Sequence, residues 1–251
     1  MILNLLIEDA GPLGSMVHAP SLPGHSFRVP DIEHVESIAL AATREYVRHL
    51  RATTMEDLNP AVEALVAALA TGDAIRFQVA EHVPGAPVWE SGNAAVLFEW
   101  DRQGLSDADV RVHLRFLRRT LGQIRETVSA VSHDRRRKRP RRGRRSIDET
   151  FEHIGNCVWW YCSRIDDELP EPIEPPGKDP LDRIDRLLDG AEAFLSAIPL
   201  AERATIHVPT RFPTKNPNEP WTYTKAFRRQ AEHAWAHLRG LRSTLAEMEK
   251  E

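Results

Sequence analysis

"WTYTKAFRRQAEHAWAHLRGLRSTLAEM", residues 221–248, carries the pattern that decides the fold. On a helical wheel at about 100° per residue, with His233 at zero, His237 falls near 40°. Phe227, Ala231, Ala234, Leu238, Leu241 and Leu245 cluster between about 80° and 160°. The stretch is therefore an amphipathic helix with one apolar stripe, and two histidines border that stripe four residues apart. "SIDETFEHIGNCVWWYCSRIDDEL", 146–169, repeats the design. Ser146 and Glu149 form an S-x-x-E capping box. With His153 at zero, Cys157 lies near 40°, and Ile147, Phe151, Ile154, Val158, Tyr161 and Ile165 lie between about 80° and 160°.

Two further helices read the same way. Residues 106–131 place Val110, Leu114, Leu117, Leu121, Ile124 and Val128 on one face. Residues 179–198 begin with Asp179 as cap and Pro180 at the first helical position. Four such helices predict a bundle, and the long connections between them argue against a simple up-and-down meander.

The first fifty residues read differently. "MILNLLIED" is strand-like, "GPLG" turns, "SMVHAP" and "SFRVP" are short strands around "SLPGH", and a helix follows from Asp31. A second helix is expected over 54–72, with Asn59 as cap, Pro60 at its start and Gly72 at its end. "AIRFQVAEHV" alternates as a strand that closes the sheet. "PGAPVWESGNA" is a linker by composition. The predicted fold class is α+β, mostly α: a small β-β-β-α N-terminal module over residues 1–90, then the four-helix bundle over 91–251.

Bulk properties set limits. No apolar run approaches the roughly 20 residues of a membrane span. The chain starts without a basic segment and meets Glu8 and Asp9 at once, so no signal peptide is expected. The two cysteines, Cys157 and Cys162, project about 140° apart on a helix and cannot pair, as suits a reducing cytoplasmic setting. Net charge is −4, yet "RRRKRPRRGRR" at 135–145 alone contributes nine positive charges, leaving −13 on the remainder. With no interleaved aromatics or groove-reading element, that run offers sequence-independent attraction to nucleic acid at most. A mobile, solvated loop is the expected form, with pairing to the acids of 166–174 as another option. No phosphate-cradling glycine loop occurs.

The histidines carry the chemistry. If the stripes of the two helices face each other, His153, His233 and His237 converge inside the bundle, where metal sites are built from facing helices. Three neutral imidazoles leave a fourth position open, as in a catalytic centre. Zn, Ni and Fe all accept imidazole, so the divalent ion is not specified. The H-E-x-x-H protease motif is absent, because Glu232 precedes His233. Cys157 reads as a small buried residue before it reads as a fourth ligand. Glu152 and Glu232 read as solvent-facing, Trp159, Trp160, Tyr161 and Trp221 as packing, and His207 as a loop residue.

Two resemblances follow. "LLIED", "HAPSLPGHSF" and "REYVRHL" resemble the HicB-like domain over residues 1–52, which implies a small sheet module known from antitoxins of RNA-targeting pairs. The usual C-terminal DNA-binding part of such proteins is not evident. "TFEHIGNCVWWYCSRI" and "WTYTKAFRRQAEHAWAHL" make residues 106–251 resemble the DinB/YfiT-like four-helix bundle superfamily. That resemblance implies His153, His233 and His237 as a metal triad. It also implies a metal-dependent thiol-S-transferase, isomerase or hydrolase acting on a small molecule, with a low-molecular-weight thiol as partner. A homodimer is compatible with this reading. The contrasting expectation is an interaction module that binds a partner protein or RNA, its metal structural or vestigial.

Overall fold

The computed structural model describes residues 1–51, 60–85, 92–140, 144–172, 179–211 and 218–249. The N-terminal sheet has the order β3-β2-β1-β4. Its strands are β1 (Ile2–Asp9), β2 (Ser15–His18), β3 (Ser26–Val29) and β4 (Arg76–Pro84). β1 and β2 pair antiparallel, Leu6 opposite His18 and Asp9 opposite Ser15. β4 runs parallel to β1, as a strand returning through a helical crossover must. That crossover contains α1 (Val35–Arg51) and α2 (Pro60–Thr71). Asp31 caps a single 3-10 turn, accepting from the His34 amide, and α1 continues from it. Gly72, at φ +78°, ends α2. Asn59, expected as the α2 cap, lies outside the described residues.

The bundle consists of α3 (Asp107–Ser129), α5 (Ile147–Cys162), α6 (Pro180–Ala197) and α7 (Tyr223–Met248). α3 packs on α7 and α6, and α5 packs on α6 and α7, so the four helices close a ring. Ser146 and Asp179 cap their helices as the sequence indicates, and Ser106 and Thr222 likewise accept from amides of the first turn. The second bundle helix stops at Cys162 instead of reaching residue 169. The Ser163 hydroxyl and the Arg164 guanidinium both donate to the Trp160 carbonyl, which closes the last turn.

The basic run departs from expectation. A short helix, α4 (His133–Arg137), occupies its first part. Arg136 is buried and pairs with Asp148 at 3.3 Å and Asp179 at 2.7 Å. Arg139 holds Glu149, the acid of the α5 capping box, and Arg144 meets Glu247. These charges meet the bundle's own acids at positions other than 166–174; among the described residues Arg136 alone departs from the expected solvated run, while Arg135, Arg137, Lys138, Arg139, Arg144 and Arg145 are exposed. Arg141, Arg142 and Gly143 lie outside it.

One apolar cluster runs through both halves, from Leu3, Val17 and Tyr46 to Leu117, Phe151 and Trp235. The domain boundary expected near residue 90 falls among residues 86–91, outside the described set, and the core is shared across it. Gly24 marks how close the halves come. Its φ is +75°, and an added Cβ would overlap the Phe116 ring on α3 and the Ala231 carbonyl on α7. Cys157 and Cys162 are both free. No helix among the described residues is long and apolar enough to cross a membrane.

Candidate metal centre

Two caps set the phase of the site. The Ser146–Glu149 box starts α5 so that Ile147, Phe151, Ile154, Val158 and Tyr161 are buried and His153 stands beside them. Before α7, Trp221 exchanges two 2.7 Å backbone hydrogen bonds with His207, and Thr222 caps the helix. That anchorage turns His233 and His237 toward α5. The three imidazoles meet: Nε2 of His233 is 3.1 Å from Nε2 of His153 and 3.0 Å from Nε2 of His237. The His153 ring centroid is 5.0 Å from each of the other two. Cys157, one turn after His153, places Sγ 3.7 Å from both nitrogens of that ring. Donor atoms of His153, Cys157 and His233 all lie within 4.8 Å of one another.

The electrostatics favour neutral rings. Burial, then the charges of His237 and His153, hold His233 well below its ordinary 6.5. Burial, then His153 and Arg145, bring His237 to about 3. Burial pushes the Cys157 thiol up to about 12, with Arg145 opposing it. Neutral imidazole is the form that ligates metal. Hydrogen bonding among the rings cannot by itself explain their arrangement. Each Nε2 presents either one N–H or one lone pair in the ring plane, so His233 Nε2 cannot serve two partners well. A cation between them suits every lone pair. The separations also fit, since nitrogens about 2.1 Å from a common ion stand roughly 3.0–3.4 Å apart in octahedral or tetrahedral geometry.

Around the centre, the Tyr161 ring lies edge-on to His233 at 5.8 Å and to Trp221 at 5.9 Å, with Trp160 against Trp221 at 5.6 Å. These aromatics wall one side. Trp159 instead donates to the Pro170 carbonyl, away from the imidazoles. Glu152 is exposed, as read from sequence. His207 serves through its backbone.

Glu232 corrects the sequence reading. It is buried, and it faces the N-terminal sheet rather than solvent. Its carboxylate accepts from His18 Nδ1 at 2.8 Å and from Arg228 at 3.2 Å. His18 Nε2 is 3.3 Å from Glu8, whose other oxygen accepts the Asn93 amide. Arg228 grips Asp101 with two bonds of 2.7 and 2.8 Å, and Arg229 approaches Glu8 at 3.6 Å. The reading missed this network because charged residues at 225–232 suggest a wet face. Their partners come from residues more than a hundred positions away, and no periodic signal marks them.

A family model for the DinB superfamily matches residues 117–241. The C-terminal half of the chain belongs to the DinB superfamily. The matched DinB span holds all of α5 and α6 and most of α7, with His153, Cys157, His233 and His237 inside it. The superfamily is generally metal-binding, and the His153–Cys157–His233 group could hold an ion of unspecified identity. The match does not reach residues 1–52, and the comparisons do not bear out a HicB-like domain there. No curated protein and no solved structure matches the chain.

Proposed function

We infer that this DinB protein is a divalent-metal-dependent enzyme acting on a small molecule through a thiol or water nucleophile. The supporting observation is the approach of three imidazole Nε2 atoms to 3.0–3.1 Å in a half-buried position between α5 and α7. His153, His233 and His237 are the ligands in this reading. A divalent ion held there supplies Lewis acidity, which lowers the pKa of a thiol or water that enters the remaining position. The protein's own residues do the rest. Burial keeps His233 and His237 unprotonated at neutral pH, so they are ready to ligate. Tyr161 and Trp221 exclude water from one side. Glu232 is not a proton acceptor for the site, because His18 and Arg228 occupy it. Thiol transfer fits the family resemblance, and hydrolysis is the close variant.

The test is elemental analysis of protein purified without chelator or affinity metal. About one equivalent of a divalent ion per chain is expected. It should be lost from the His153→Ala/His233→Ala/His237→Ala variant while helical circular dichroism is retained. Full occupancy in that variant would remove these residues as ligands.

A further inference from the structure

Cys157 has no counterpart in the three-imidazole reading. Its Sγ is equidistant, at 3.7 Å, from both nitrogens of His153, so the sulfur rests against the ring and not in line with either lone pair. The residue is half-buried on the histidine shoulder of α5, whereas Cys162 is 2% exposed in the apolar core. The two cysteines of the chain therefore occupy different surroundings, and only Cys157 touches the imidazole cluster.

We propose that Cys157 is the fourth ligand of the centre, a thiolate that fills the remaining position until an incoming thiol displaces it. The proposal rests on the metal reading above. Two features carry it. Donor atoms of Cys157, His153 and His233 already lie within 4.8 Å of one another. In a tetrahedral site with a metal–sulfur bond of about 2.3 Å, sulfur and nitrogen stand roughly 3.6 Å apart, close to the separation found. Coordination removes the thiol proton to solvent, so loading releases a proton. Three imidazoles and a thiolate make a closed centre at rest. Entry of a substrate thiol then exchanges one sulfur ligand for another, the incoming proton passing to the released Cys157 sulfur, so the charge at the ion does not change.

Cobalt replaces the native ion as a spectroscopic probe. Metal-free wild type, Cys157→Ser and Cys162→Ser proteins are titrated with Co²⁺. The expected result is a thiolate-to-cobalt charge-transfer band in the near ultraviolet for wild type and Cys162→Ser. Cys157→Ser should take up cobalt, seen by its visible ligand-field bands, without the charge-transfer band. X-ray absorption on zinc-loaded wild type provides a second readout independent of any variant, with one sulfur expected at about 2.3 Å and nitrogens at about 2.0 Å. A cobalt protein without the band, or a zinc shell of nitrogen and oxygen alone, overturns the Cys157 assignment and leaves the histidine centre standing. Failure of wild type to take up either metal overturns both.

Discussion

Glu232 and His233 are adjacent in the chain and face opposite ways. His233 joins the imidazole cluster, and Glu232 joins a buried ion network with His18, Arg228 and, through them, Glu8 and Asp101. Burial alone would raise the Glu8 carboxyl, but contact with His18 and the fields of Arg229 and Arg228 outweigh it and bring it from 4.5 to about 2. A carboxyl lowered in the fold stabilises fully above its unfolded pKa and loses that contribution as pH falls toward the folded value. Stability attributable to Glu8, on the order of 3 kcal/mol, should therefore disappear between about pH 4.5 and 2. Urea denaturation of wild type and Glu8→Gln across that range checks it, and the variant should show the weaker pH dependence. Asp101→Asn removes one half of a bidentate pair with Arg228 in which both side chains are buried. A loss of about 3 kcal/mol or more is expected, because a buried guanidinium is left undercompensated. The histidine spacing was legible residue by residue from the wheel. The orientation of Glu232 was not, since its partner His18 is 214 positions away.

At the scale of elements, caps were the most readable feature. Ser146, Asp179 and Ser106 each begin their helix where local chemistry places them. Ser146→Ala should cost about 1 kcal/mol of stability. Because that box sets the phase of α5, it should also weaken metal retention in a chelator competition measured beside thermal unfolding. The turn at Gly24 behaves differently. Its sequence, "PSLPG", marks a turn, but only packing shows that the turn is wedged between α3 and α7. Gly24→Ala meets both positive φ and overlap with Phe116, so a destabilisation of about 2 kcal/mol or more is expected in chemical denaturation. Within the basic run, Arg136 was misread for a related reason. Charge density alone suggests solvation, whereas Arg136 and Arg139 meet carboxylates at the starts of α5 and α6.

For the molecule as a whole, the N-terminal module and the bundle share one apolar cluster and one buried ion network. Deleting residues 1–91 would strip Glu232 of His18 and Arg229 of Glu8, and would expose the apolar surface covered by Tyr46 and its neighbours. Such a fragment should lack a cooperative thermal transition and bind a hydrophobic dye, whereas an independent bundle would unfold sharply. Metal should act in the opposite direction. An ion that binds only the folded chain adds about 2.7 kcal/mol at a hundredfold excess over its Kd, so chelation should lower the midpoint of thermal unfolding of the full chain.

Local pattern alone determined the starts of the bundle helices, the strands, the turn positions and the candidate triad, because each depends on spacing and capping within a few residues. Tertiary structure decided which faces meet. It brought α5 against α7 so that imidazoles eighty residues apart come within 3.1 Å, and paired charges on α7 with the sheet. Those outcomes depend on burial and on partners distant in the chain, and amphipathic periodicity contains no information about which distant group will neutralise a buried charge.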